Sequence, residues 1–228
     1  MTNPNPPAQP PLHYHPGVFD HADEKGARAV ILTNEGEGAD TETRWRLETP
    51  YVLELLSGAL KLGPNSLVLD YGCGIGRMAK AIIEASGCSV IGVDISAAMR
   101  TMAHTYVGSE RFLAVSPAQF DLLVASGLRV QAAISIWVLQ HCLAPAEDIE
   151  RIHRSLAPQG EVFILNMPKR AVPAVVPGTG TFTWANDGID VAALLRGRFT
   201  LRAEGEPDKT RTPNMADAGA FWVSLVRW

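Results

Sequence analysis

The sequence predicts an α/β fold in which a mostly parallel sheet is covered by helices on both faces. Three observations predict it. Short, nearly continuous apolar runs rich in β-branched residues recur along the chain, the pattern of strands buried on both faces. Helical patterns fill the intervals, and strand–helix alternation means crossover units in a parallel sheet. Where the first run gives way to a helix, Gly72, Gly74 and Gly76 fall within five residues, just behind Asp70.

The elements follow in order. Residues 1–16 hold Pro4, Pro6, Pro7, Pro10, Pro11 and Pro16, a composition that samples extended conformations and packs no core, so a mobile leader is expected. Residues 17–62 are expected to form a helical cap or lid. Within it "EGEGAD" (35–40) reads as a flexible turn, and residues 39–60 read as helical with a break at Thr49–Pro50. The main domain is expected over 63–228. Its strands are "SLVLDYG" (66–72), "SVIGVDIS" (89–96), "RFLAVSP" (111–117), "QAAISIWVL" (131–139) and "EVFILNM" (161–167). In "RMAKAIIEA" Met78, Ile82 and Ala85 recur at helical spacing. In "PAEDIERIHRSLAPQG" Pro145 suits a first helical position, Glu147 and Asp148 favour the first turn, and Pro158 with Gly160 stop the helix. A Pro- and Gly-rich loop is expected over 168–188. A short helix, "IDVAALLRG", follows it, and then two strands, "RFTLRAEGEP" and "AFWVSLVRW", expected to pair antiparallel.

The composition excludes several classes. The 228 residues suit one domain, and 46% apolar content can fill a core. A net charge of −4 gives no electrostatic grip on nucleic acid or an anionic membrane. No apolar run approaches the ~20 residues of a membrane span, and the N-terminus lacks the apolar centre of a signal peptide. Cys73, Cys88 and Cys142 are scattered, without a CxxC, so neither a zinc site nor a disulfide framework is indicated. They read as reduced residues of a cytoplasmic protein.

The glycine turn raises the question of its ligand. Gly74, Gly76 and Ala79 fit a loose dinucleotide pattern, in which a pyrophosphate rests on the helix N-terminus. Asp70 opposes that reading, since a carboxylate repels a pyrophosphate and attracts a cation. Unit charges ~4 Å apart interact by about 4 kcal/mol at an effective dielectric of 20. S-adenosylmethionine (SAM) carries an ammonium and a sulfonium, and the turn with Asp70 favours it. Asp94, at the end of the second run, suits a pair of ribose hydroxyls in either ligand. Its other role is a helix N-cap, for which Ser96 competes.

"VLDYGCGIGRMAKAI", "VIGVDIS", "QAAISIWVLQH" and "SLAPQGEVFILN", taken as a set over roughly residues 45–167, resemble the successive motifs of class I SAM-dependent methyltransferases, in particular the small-molecule branch. The resemblance implies a Rossmann-like, doubly wound sheet of seven strands with the last antiparallel. It implies that Asp70, Gly72, Cys73 and Gly74 line the methionyl side, that Asp94 holds the ribose, and that Ile95 and Met99 flank the adenine, with Ile136 beside the cofactor. Many members hold the adenine amino group with an acid after the third strand; this sequence has "SPAQF", which leaves Gln119 or a backbone group.

Further candidates come from chemistry and position. His141, at the carboxyl end of the fourth run, is the candidate general base; its other role is to tie down the loop before Pro145. Arg44 and Arg46 could clamp the SAM carboxylate or an acidic substrate, and Arg46 is expected at the cofactor; their other role is as solvated charges on a helix. Trp45, Trp137, Gln140 and Trp184 are expected to build the acceptor pocket. His13, His15 and His21 with Asp20 have a spacing that arises readily by chance, and no metal is expected. The expected activity is methyl transfer to an O or N atom, less readily C, of a small, partly apolar metabolite, giving S-adenosylhomocysteine. The protein is expected to be a monomer or homodimer without nucleic-acid or membrane partners. Two alternatives stay open: a non-catalytic SAM-binding module and an NAD(P)-dependent oxidoreductase.

Overall fold

A computed structural model describes residues 13–33 and 39–228. The proline-rich leader up to residue 12 and most of the 35–40 turn lie outside the described residues. The chain runs β1 (His13–Tyr14), a 3-10 turn (Pro16–Phe19), α1 (Glu24–Ile31), α2 (Thr41–Ala59), β2 (Leu67–Tyr71), α3 (Arg77–Ser86), β3 (Ser89–Val93), α4 (Ala97–Val107), β4 (Phe112–Val115) and α5 (Pro117–Ala125). There follow β5 (Val130–Ile136), α6 (Pro145–Ser155), β6 (Leu156–Asn166), β7 (Val172–Val175), β8 (Phe182–Ala185), α7 (Val191–Arg198), β9 (Thr200–Gly205), α8 (Pro213–Asp217) and β10 (Phe221–Val226).

Among the described residues seven strands form one sheet in the order β4-β3-β2-β5-β6-β10-β9. β2 pairs parallel with β3 and β5, β3 with β4, and β5 with β6, whereas β10 runs antiparallel to both neighbours. This is the expected Rossmann-like α/β sheet with its last strand reversed. Alternation along the strands splits the core. Val68, Val90, Ala132 and Phe163 face one layer with Val52, Leu56, Met78 and Ile82 of α2 and α3. Leu69, Ile91, Ala133 and Ile164 face the other with Phe120, Ile152 and Leu195 of α5, α6 and α7.

Four local expectations are corrected. α2 passes through Pro50 without ending. A proline inside a helix costs ~3 kcal/mol, but buried residues on both sides of it, Trp45 and Glu48 before and Tyr51, Val52 and Leu56 after, hold the helix together by tertiary packing. α6 stops at Ser155, before Pro158, because backbone ahead of a proline leaves the helical region. Residues 156–160 then already belong to β6. The 168–188 segment is not an open loop: β7 and β8 pair as a hairpin, Val172 opposite Ala185 and Val175 opposite Phe182. The end of the leader is also structured, because His13 and Tyr14 add to the hairpin's edge opposite Val175 and Ala174.

Candidate functional site

The site lies at the carboxyl ends of β2, β3 and β5, where helices leave the sheet and the backbone must turn. After Tyr71 the chain runs through Gly72 and Gly74 at φ of 78° and 53°, left-handed backbone that favours glycine. Neighbouring side chains use part of the space the glycines clear. A Cβ on Gly72 would lie 2.2 Å from Val138 Cγ2, and one on Gly74 2.8 Å from Ile31 Cδ1. Four of the turn's N–H groups are also taken. Gly72 and Cys73 donate to Val93 O (2.7 and 3.0 Å), Gly76 to Cys73 O (2.8 Å) and Gly74 to Asp94 Oδ2 (2.8 Å). A turn with four donors so engaged leaves fewer for a pyrophosphate.

A cavity of about 350 Å³ opens above the turn. Of the residues expected at the cofactor, Asp70, Gly72, Cys73, Gly74, Asp94, Ile95, Met99 and Ile136 line it, as do Trp137 and His141. Asp70 is 3% exposed, and its Oδ2 has no hydrogen-bond partner among the described residues. Burial pushes its carboxyl up to about 7, against the pull of Arg77 and the Ala79 N–H. Asp94 accepts from Gly74 N through Oδ2 and from Ser96 N through Oδ1 (2.9 Å). Burial raises its pKa, and these N–H groups oppose the rise. Each oxygen keeps a lone pair. Asp94 is not the helix cap: Ser96 Oγ accepts from Met99 N (3.0 Å) at the start of α4. An unpartnered buried carboxylate oxygen, an oriented second carboxylate and an apolar wall of Met99 and Ile136 fit a cationic nucleoside such as SAM.

The outer part of the cavity is aromatic. His141 Nδ1 donates to Ala171 O (2.6 Å), which leaves Nε2 as the ring's acceptor, 3.2 Å from Gln140 Nε2. Burial lowers the His141 pKa, so the ring is neutral at pH 7. Its face meets Phe19 and Trp184 at centroid distances of 5.5 and 5.3 Å.

Six candidate residues stand outside the cavity lining. Arg46 is exposed on α2, outside the cavity lining, and Arg44 is buried in an ion pair with Glu48 (2.7 Å). Gln119 turns back to accept from Ser116 N (2.8 Å), closing a capping box that starts α5; Pro117 takes its place in the cavity wall. Trp45 is core, its Nε1 donating to Tyr106 Oη (3.1 Å). Gln140 is 2% exposed and ties strand ends together, with Oε1 accepting from Met167 N (3.3 Å) and its N–H donating to Asn166 Oδ1 (3.2 Å). Trp184 stands at the mouth, 42% exposed, behind His141. His13, His15, His21 and Asp20 do not converge; among the described residues no three metal-binding side chains are grouped. Instead Asp20 accepts from Ser96 Oγ (2.7 Å), tying the N-terminal segment to α4.

Sequence reasoning missed Tyr14, Phe19, Ile31, Tyr71, Arg77, Asp148 and Arg151, which also line the cavity. Arg151 Nη1 donates to Tyr71 Oη and Asp148 Oδ1 (both 2.9 Å), and the Tyr71 hydroxyl donates to Asp148. Burial and Asp148 raise the Tyr71 pKa, and burial pushes that of Tyr14 up to about 12, so both hydroxyls stay protonated. Only Arg77 carried a signal in the sequence, as a cation at the first position of a helix, where the dipole disfavours it.

A family model described as "Methyltransferase domain" matches residues 43–182. A search among curated proteins gives no match. Among solved structures, an S-adenosylmethionine-dependent methyltransferase from Mesorhizobium loti is 21% identical, with a TM-score of 0.54, covering 76% of this chain and 96% of that one. The geranyl diphosphate C-methyltransferase from Streptomyces coelicolor A3(2) is 14% identical, with a TM-score of 0.58 and coverages of 95% and 87%. The [4+2]-cyclase SpnF is 16% identical, with a TM-score of 0.59 and coverages of 86% and 85%. At these identities the likeness to the solved structures is one of fold.

Proposed function

The chain belongs to the methyltransferase domain family, and from that premise we propose that it moves a methyl group to an oxygen or nitrogen nucleophile of a small, partly apolar metabolite. SAM is the cofactor. The observation that carries the reading is the pairing of the unpartnered, buried Asp70 Oδ2 with a turn in which the N–H groups of Gly72, Cys73, Gly74 and Gly76 are already bonded. That combination suits a cationic tail and does not suit a pyrophosphate.

When bound, SAM supplies a methyl group activated on a cationic sulfur. The chain has to orient, enclose and deprotonate. Asp94, fixed by two backbone N–H groups, accepts the ribose hydroxyls, while Ile95 and Met99 bracket the base. Tyr14, Phe19 and His141 shape the acceptor space, with Trp184 at its mouth. Alignment of nucleophile and methyl carbon accounts for ~7–11 kcal/mol of barrier lowering in such reactions. Neutral His141 takes the proton of a hydroxyl or amine at Nε2 once that group displaces the Gln140 amide, adding ~10²–10⁴-fold. The exposed rings of Phe182 and Trp184 beside the mouth favour an acceptor with apolar surface.

The test incubates the protein with trideuteromethyl-SAM and a panel of small phenols, alcohols and amines, and reads the products by mass spectrometry. A heavy methyl group on O or N supports the proposal. Label on carbon corrects the acceptor atom, as the geranyl diphosphate C-methyltransferase neighbour warns. Bound SAM with no turnover across the panel identifies a binding module, and conversion without label identifies chemistry outside methyl transfer.

A further inference from the structure

We propose that Arg170 and Asp187 form a clasp that positions His141, holding its loop in place and fixing which ring nitrogen accepts a proton. The inference rests on the reading of His141 as the base, and neither member of the clasp lines the cavity.

Arg170 stands just before β7 and Asp187 just after β8, so their pairing closes the base of the hairpin. Arg170 Nε donates to Asp187 Oδ1 (3.1 Å) and Nη2 to Oδ2 (2.9 Å), a bidentate bond. The same guanidinium also reaches the loop that leaves β5. Nη1 donates to Leu139 O (2.9 Å) and Nη2 to Leu143 O (3.5 Å), one on each side of His141. The next residue completes the attachment. Ala171 N donates to Gln140 O (2.9 Å), and Ala171 O accepts from His141 Nδ1 (2.6 Å). One fully buried arginine side chain thus sets the place of the carbonyl that holds the ring.

Two observations point to positioning rather than support alone. The loop opens with Trp137 at a φ of 64°, left-handed backbone that a bulky residue keeps only where its surroundings over-determine it. A buried ion pair is also a poor source of stability, since apolar residues of the same volume often serve as well. What it supplies is direction, four bonds from one planar group to three fixed partners. Charge enters as well. Burial and then the Arg170 charge lower the His141 pKa, while the Ala171 bond opposes them. The Asp187 carboxylate, held below its usual range by Arg170, offsets that charge, so the ring can still take a proton at Nε2.

Nitrogen-15 NMR of the histidine rings reads which nitrogen carries the proton, and the signal missing from His141→Gln identifies His141. Wild-type protein is expected to show the Nδ1–H form. Asp187→Asn should add the Nε2–H form, and Asp187→Ala should add more of it. With trideuteromethyl-SAM and an acceptor found in the panel above, kcat in Asp187→Ala should fall toward the ~10²–10⁴-fold deficit of a missing base. SAM affinity by calorimetry should stay that of wild type. Melting curves check that the variants fold, and if Asp187→Ala does not, Asp187→Asn decides the matter. If the panel yields no acceptor, the ring form alone decides. An unchanged ring form in the folded variants, or a SAM affinity that falls as far as kcat, overturns the proposal and leaves the base reading intact. His141→Gln as active as wild type overturns both.

Discussion

The place of Asp94 at the cavity was legible from sequence, because it ends a strand that follows the glycine turn. The structure adds that it also staples that turn, through the Gly74 N–H. Asp94→Ala is therefore expected to lower SAM affinity at least tenfold, the loss of one charge-assisted bond, and to loosen the turn; unchanged affinity by calorimetry would remove Asp94 from the site. Asp70 carries a pH signature. Burial lifts its carboxyl from 3.8 to about 7. Between those values the folded protein holds a proton that the unfolded chain has released. The stability from this group is thus complete below pH ~4 and lost as pH rises through ~7. A cationic ligand favours the ionised form, so SAM affinity should climb between pH 6 and 8, and Asp70→Asn should flatten the climb in a calorimetric titration. Gln119 and Gln140 were misread for a common reason. Each has a plausible residue type at a plausible position, but a backbone group close in sequence or across the sheet end takes the side chain first. Arg77 could have been found from its clash with the helix dipole.

At the level of elements, strands and crossover helices were readable because their periodicities are local. The pairing of the flanking segments was not, because it is long-range. Nothing in "LHYHP" announces that His13 and Tyr14 add to a hairpin about 160 residues away. Pro and Gly in 168–188 signal turns, and whether the residues between them pair depends on a partner. Once formed, the small sheet β1-β7-β8 joins both flanking segments beside the site. Ile31 of α1 packs on Gly74, and Phe19 on His141 and Trp184. We propose that these segments cover the site and exclude water from the reacting pair when the ligand is in place. Hydrogen exchange should slow in residues 13–31 and 172–185 when SAM is added, and exchange unaltered in both segments would argue that they do not cover the site.

For the whole molecule, the expected sheet is present, and its order supplies what single motifs could not, a set of strand ends facing one cavity. Ligand occupancy should register globally. SAM at a hundred times its dissociation constant adds about 2.7 kcal/mol. For a chain of this size that raises the melting temperature by ~5–11 °C, and NAD at equal concentration should leave it unmoved; a rise with NAD instead would restore the oxidoreductase reading. The order also carries a cost during synthesis. β10 lies between β6 and β9, yet β6 is complete at Asn166 and β10 starts only at Phe221. At the ribosome's pace of ~5–20 residues per second, the flank of β6 waits on the order of 3–11 s for its partner. During that interval its unpaired N–H and C=O groups are open to strands of other nascent chains. The yield of native protein should accordingly depend on translation speed and chaperone supply over residues 167–220, more than on any residue of the cavity.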